Sequence, residues 1–149
     1  MPPPVNAIRF LASTGFEMPT NVAWFERLMY IDIAASLLIA ILEHAERSTE
    51  EIAQLGMFYL IALPLLVGLV VLLIWLIVQR RMNWARWALL LLVVAGDLSL
   101  LHDLLAGEFA RKAFAIALLT AVTFVLEIAA FYLIFTGNAR DWFRKPSSI

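Results

Sequence analysis

The chain contains no cysteine, which excludes a disulfide, a thiol nucleophile, a thiolate metal site and a covalently attached c-type haem. Charge is scarce as well: 15% of residues carry it, for a formal net charge of −1. A nucleic-acid partner is not expected, because phosphate contacts that release counterions need clustered Lys and Arg with a basic excess. Glycine is sparse, with six residues, and none is set in a phosphate-cradling loop. Zinc-protease and nucleophile-elbow patterns are missing, and the two histidines leave no plausible triad. Paired acids can cleave glycosides, but that chemistry needs room for sugar and water, which a tight helical bundle does not advertise. The chain is therefore expected not to be an enzyme. The opening segment "MPPPVNAIRFLASTGFEMPT" has no basic start, long apolar run and small-residue cleavage site in succession, so it is expected to remain in the mature protein.

What the chain has in quantity is apolar surface, with 63% of its 149 residues hydrophobic. Crossing a hydrocarbon core takes about 20 mostly apolar residues in a helix. Such runs lie at Trp24 to Leu42, Leu55 to Val78, Trp84 to Leu105 and Ala113 to Thr136. Helices are required because lipid leaves every backbone amide to be satisfied within its own segment. Pro64 removes one backbone bond from the second run and should kink it unless neighbours compensate. The connections "EHAERSTEEIAQ", "QRRMN" and "GEFARK" are short, so consecutive helices should be antiparallel neighbours. The expected fold is all-α, an integral-membrane up-down-up-down bundle. Residues 1–23 form an N-terminal interfacial segment in this reading, 24–136 the four-helix domain, and 137–149 a C-terminal interfacial tail.

Orientation follows from charge. The side with both termini and the second loop carries Arg9, Arg27, Arg80, Arg81, Arg86, Arg140, Arg144 and Lys145, against Arg47, Arg111 and Lys112 opposite. Eight against three places both termini in the cytoplasm by the positive-inside rule. The far face is acidic, with Glu43, Glu46, Glu50, Glu51 and Glu108. Trp24 with Arg27, Trp84 and Trp87 with Arg86, and Trp142 with Arg140 and Arg144 recur at the cytoplasmic boundary. Indole rings favour the headgroup layer and Arg favours anionic phosphate, so these residues are read as membrane-interface anchors. In "FTGNARDWFR", Gly137 and Asn138 suit the left-handed conformation that stops a helix, with a short interfacial segment after them. "VNAIRFLA" near the N-terminus is a weaker candidate for lying on the membrane surface.

The segments "WFERLMY", "RRMNWARW" and "FYLIFTGNARDWFR" together resemble a group of small uncharacterised bacterial proteins with four transmembrane helices. The resemblance spans most of the chain but rests on boundary residues. It implies the topology and a multi-pass location in the bacterial inner (cytoplasmic) membrane, and it carries over no catalytic residue.

Inside the apolar runs stand three acids, Asp32, Asp97 and Glu127, with no Lys or Arg at their depth. A charge at mid-membrane costs from about 2.5 kcal/mol upward. Each acid must therefore face protein or water, or hold a proton. Asp97 lies about 13 residues, roughly 20 Å, from the cytoplasmic start of its helix, and Asp32 and Glu127 each lie about 12 to 14 Å from that boundary. At about 100° per residue, Asp32 shares an arc with Ser36 and Glu43, and Glu127 shares one with Thr120 and Thr123. Both read as polar stripes turned inward, and touching helices would let Asp32 and Glu127 share a proton. Asp97 differs: its stripe holds Leu90, Leu101 and Leu104, with Ser99, His102 and Asp103 on the opposite side, so it is not expected to line the same path.

His44 and His102 both fall at the outer boundary. With Glu43 and Asp103 beside them they are candidates for a zinc site, or alone for the axial ligands of a b-type haem, but neither version has a metal motif's fixed spacing. The plainer reading is a pair of solvated interfacial histidines, with Glu43 and Arg47 as a weak ion pair four residues apart. No cofactor is therefore expected, haem or metal being the exception these residues keep open. Neither an internal repeat nor the inverted halves of many carriers is visible. The reading preferred from sequence is an accessory or interaction subunit of a larger membrane assembly. Its partners would be the lipid bilayer and another membrane protein or a second copy, with the buried acids holding helices together or meeting a partner's basic residue. The alternative is a proton-coupled carrier or cation conduit using Asp32, Asp97 and Glu127, with Ser36, Thr120 and Thr123 as supporting hydroxyls; the third reading is a haem or metal membrane subunit.

Overall fold

The computed structural model describes residues 18–46, 49–107 and 113–144. These form helices α1 (Thr20–Glu46), α2 (Thr49–Val78), α3 (Asn83–Leu105), α4 (Phe114–Phe135) and the short α5 (Ala139–Arg144), with no strand among the described residues. The first four are long and apolar enough to cross a membrane. α3 and α4 keep nearly the expected bounds, whereas α1 and α2 overrun theirs into polar ends, since extending an existing helix costs little compared with starting one. α2 is helical on both sides of Pro64. Of the expected N-terminal segment, Met18 packs on the core and Thr20 already belongs to α1. The "VNAIRFLA" stretch and Arg9, Arg47, Glu108, Arg111, Lys112 and Lys145 lie outside the described residues, as do the side chains of Glu46, Glu50, Glu51, Ser99, Asp103 and Arg144.

Polar backbone contacts tie one end of the bundle together. α2 closes with the Gln79 amide donating to the Trp75 carbonyl at 2.8 Å and the Met82 amide to Leu76 at 3.2 Å. Arg81 between them adopts φ 53, the left-handed form that turns a chain out of a helix. α4 ends at Gly137, φ 58. The amide of Asn21, in the first turn of α1, donates to the carbonyls of Thr136 at 3.1 Å and Leu133 at 3.4 Å, which α4's own backbone leaves without partners. A Cβ at position 137 would stand 2.7 Å from that Asn21 nitrogen, so glycine is needed for both conformation and approach. The start of α1 thus lies against the end of α4, and Arg86, in α3's first turn, donates to the Ile134 carbonyl at the same end.

The core concentrates there too. Val22, Phe25 and Met29 of α1, Leu73, Ile74, Ile77 and Val78 of α2, Ala85 and Leu89 of α3, and Ala130 and Ile134 of α4 form one buried cluster. Small side chains such as Ala85 and Ala130 allow the close helix approach on which association in lipid depends. α1 packs most extensively on α4, and α2 on α3. Toward the other end α2 buries nothing among its described residues before Leu73, and α3 nothing after Leu89. The bundle is therefore sealed at one end and open beyond it.

Arg86, expected among the interface anchors, is only 9% exposed and packs on protein groups. Its guanidinium donates to Ile134 at 3.1 Å and to Asn83, and lies 4.1 Å from the Phe143 ring centroid and 5.0 Å from that of Phe135. A delocalised, weakly hydrated cation can be buried this way, between carbonyls and aromatic faces. Trp142 is likewise half-buried on the core, under the Arg81 guanidinium at 3.7 Å. Trp24, Trp84 and Trp87 are exposed, with Arg27 over Trp24 at 5.4 Å; Arg140 is exposed and donates to the Phe135 carbonyl at 3.0 Å. Replacing Arg86 with Lys keeps the charge but loses the fork and the stacking. Arg86→Lys is expected to lose about 2 kcal/mol of stability, read as a lower thermal unfolding midpoint in detergent. An unchanged midpoint would show that charge alone suffices.

Candidate functional site

Just beyond the sealed core the four long helices part around a cavity of about 280 Å³. Its walls are mostly apolar, from residues such as Met29, Val67 and Val93, and its polar groups are Asp32, Ser36, Asp97 and Glu127. The sequence places these acids here by register. Asp32 follows Phe25 and Met29 on the buried face of α1, and Glu127 precedes Ala130 and Ile134 on that of α4. Asp32 is 5% exposed, and its Oδ1 is buried with no hydrogen-bond partner among the described residues. Asp97 and Glu127 face the same cavity from α3 and α4, near enough to interact directly. Carboxylates only accept hydrogen bonds, so a bond between these two would require one of them to carry a proton.

The expectation that Asp97 stands apart is corrected: it shares the cavity with Asp32 and Glu127. Helical phase gave the right neighbours for it but the wrong inference. Asp97 sits at the edge between the inward Leu89 and Val93 and the exposed Leu101 and Leu104, and a leucine stripe looks the same whether it meets lipid or protein. Gly96 also lines the cavity, with nothing within 4 Å of where its Cβ would lie. A small residue directly before Asp97 leaves room beside that acid.

The supporting hydroxyls divide. Ser36 lines the cavity. Thr120 and Thr123 donate to their own helix, at the Ile116 and Thr120 carbonyls, both at 2.9 Å. Thr120 instead lines an apolar groove of about 390 Å³ between α3 and α4, whose rim Asp97 also reaches. A second groove, about 400 Å³ between α1 and α2, is lined by Leu37, Ile41, Leu60 and His44. His102 is exposed on α3, outside that groove's lining. Among the described residues no three His, Asp or Glu side chains are grouped to hold a metal ion.

Comparison with protein-family models, curated proteins and solved structures finds no match to this chain, so the site rests on its own geometry. A buried oxygen without a partner costs about 1–3 kcal/mol, and a leucine at position 32 would remove that cost while filling part of the cavity. Asp32→Leu is therefore expected to raise the thermal unfolding midpoint in detergent. A fall comparable to that of a core-cavity mutant would mean that Asp32 is a structural polar contact.

Proposed function

We propose that the chain is a small non-enzymatic, multi-pass protein of a bacterial inner membrane whose working part is the carboxyl cavity, where it takes up and releases protons in a proton-coupled carrier or conduit. One observation carries this reading: Asp32, Asp97 and Glu127 come from three helices to one cavity, and the most buried of them has an unmatched oxygen. A proton is favoured over a metal cation because the acids do not close into a ligand set. The bonds of Asn21 and Arg86 to the end of α4 support the up-down-up-down order, and the eight-to-three excess of basic residues supports cytoplasmic termini.

The second reading, an accessory subunit of a larger assembly or of a self-associated form, is favoured by the two apolar grooves on the outer faces, which an apolar helix of another membrane protein would fill. For the metal reading, no group of three His, Asp or Glu side chains is found among the described residues.

Liposomes with a trapped pH dye and an imposed potential separate the first two readings. The proposal expects proton entry above that of empty liposomes, with Asp97→Asn and Glu127→Gln reduced to the empty rate. No flux from folded protein, together with migration in a larger native complex, would favour the accessory reading.

A further inference from the structure

The cavity holds more than a proton requires. Its volume of about 280 Å³ lies just under the roughly 300–1,000 Å³ typical of small-molecule pockets. The lining is also of two kinds. Leu63, Leu66, Val67 and Val70 make α2's side purely apolar among the described residues, while Asp32 of α1, Asp97 of α3 and Glu127 of α4 face it with carboxyls. No Lys or Arg is among the lining residues. Arg86, the buried cation of α3, is committed one end away to Ile134, Asn83 and two phenylalanine rings. A ligand complementary to this surface has an apolar body and one positive charge. The unpartnered Oδ1 of Asp32 narrows the class, because it calls for a hydrogen-bond donor, which a protonated amine has and a quaternary ammonium lacks.

Resting on the proton-coupled reading, we infer that the cavity binds a small lipophilic amine in its ammonium form, donating N–H to Asp32 and laying its apolar part against α2. Entry of one ammonium displaces the one proton held between Asp97 and Glu127. That proton leaves to water, no covalent bond changes, and the cavity's net charge is the same before and after. Asp32 is the recognition residue and the Asp97–Glu127 pair the exchangeable one. This division accounts for why three acids are present where a proton relay alone needs fewer.

Calorimetric titration of the full chain in detergent with cyclohexylammonium tests this, run in two buffers of different ionisation enthalpy so that proton release is counted. Cyclohexanol serves as the neutral probe and tetraethylammonium as the charged probe without N–H. The expected result is saturable cyclohexylammonium binding with proton release, and neither control binding comparably. Loss of a charge-assisted hydrogen bond should weaken binding about tenfold or more in Asp32→Asn. Glu127→Gln should abolish proton release while the protein keeps its helical circular dichroism. No saturable binding by the folded wild type, or binding unchanged in both variants, overturns the inference. Proton flux in liposomes without amine binding would overturn it and leave the proton-coupled reading intact; absence of both would overturn both.

Discussion

Three carboxyl groups at membrane depth with no cation beside them constrain everything else about this protein. An isolated charge there is costly, so the acids must find protein, water or protons. The fold answers by bringing them from three separate helices to one cavity, where Asp97 and Glu127 stand near enough to share a proton and Asp32 keeps an oxygen unmatched. The cavity can exist because packing is uneven along the bundle. Apolar and small residues seal the end that carries the basic belt, and the helices part just where the acids begin.

The sealed end explains how a bundle with so open a half holds its shape. Hydrophobic burial gives little association energy in lipid, which is as apolar as leucine, so close packing and interhelical hydrogen bonds must supply it. Asn21 completes the carbonyls at the end of α4, and Arg86 spans α3, α4 and α5 through a carbonyl and two aromatic faces. Both are polar residues used as fasteners at the end where the core is tightest. The acids lie beyond these fasteners, on the cavity rather than in the sealed core.

Much of the fold was legible in the sequence, and the site only in part. Length and hydropathy pick out the four long helices, and Gly137 announced its turn because few residues tolerate a positive φ. Asp32 and Glu127 were matched in depth by counting residues, which a helix's fixed rise makes dependable. Facing was harder. In a soluble helix polar residues mark the outside, but in a membrane helix leucine covers both lipid and protein surfaces, so the leucine stripe of Asp97 does not reveal that it shares a cavity with the other two. The packing of Arg86 is hidden for a related reason: an Arg beside Trp at a boundary has the same local sequence whether it is exposed or packs against Phe135 and Phe143. The partners of the threonines are not legible either, because a hydroxyl in a helix can turn back to its own backbone, as Thr120 and Thr123 do.

The central claim is that Asp97 and Glu127 hold a proton between them inside the bundle. Infrared spectroscopy of the protein in lipid at neutral pH tests it most directly, because the carbonyl stretch of a protonated carboxylic acid stands clear of the amide bands. A protonated-carboxyl band that shifts in heavy water and disappears in Glu127→Gln is the predicted result. Absence of that band, or a band untouched in both Glu127→Gln and Asp97→Asn, would contradict it.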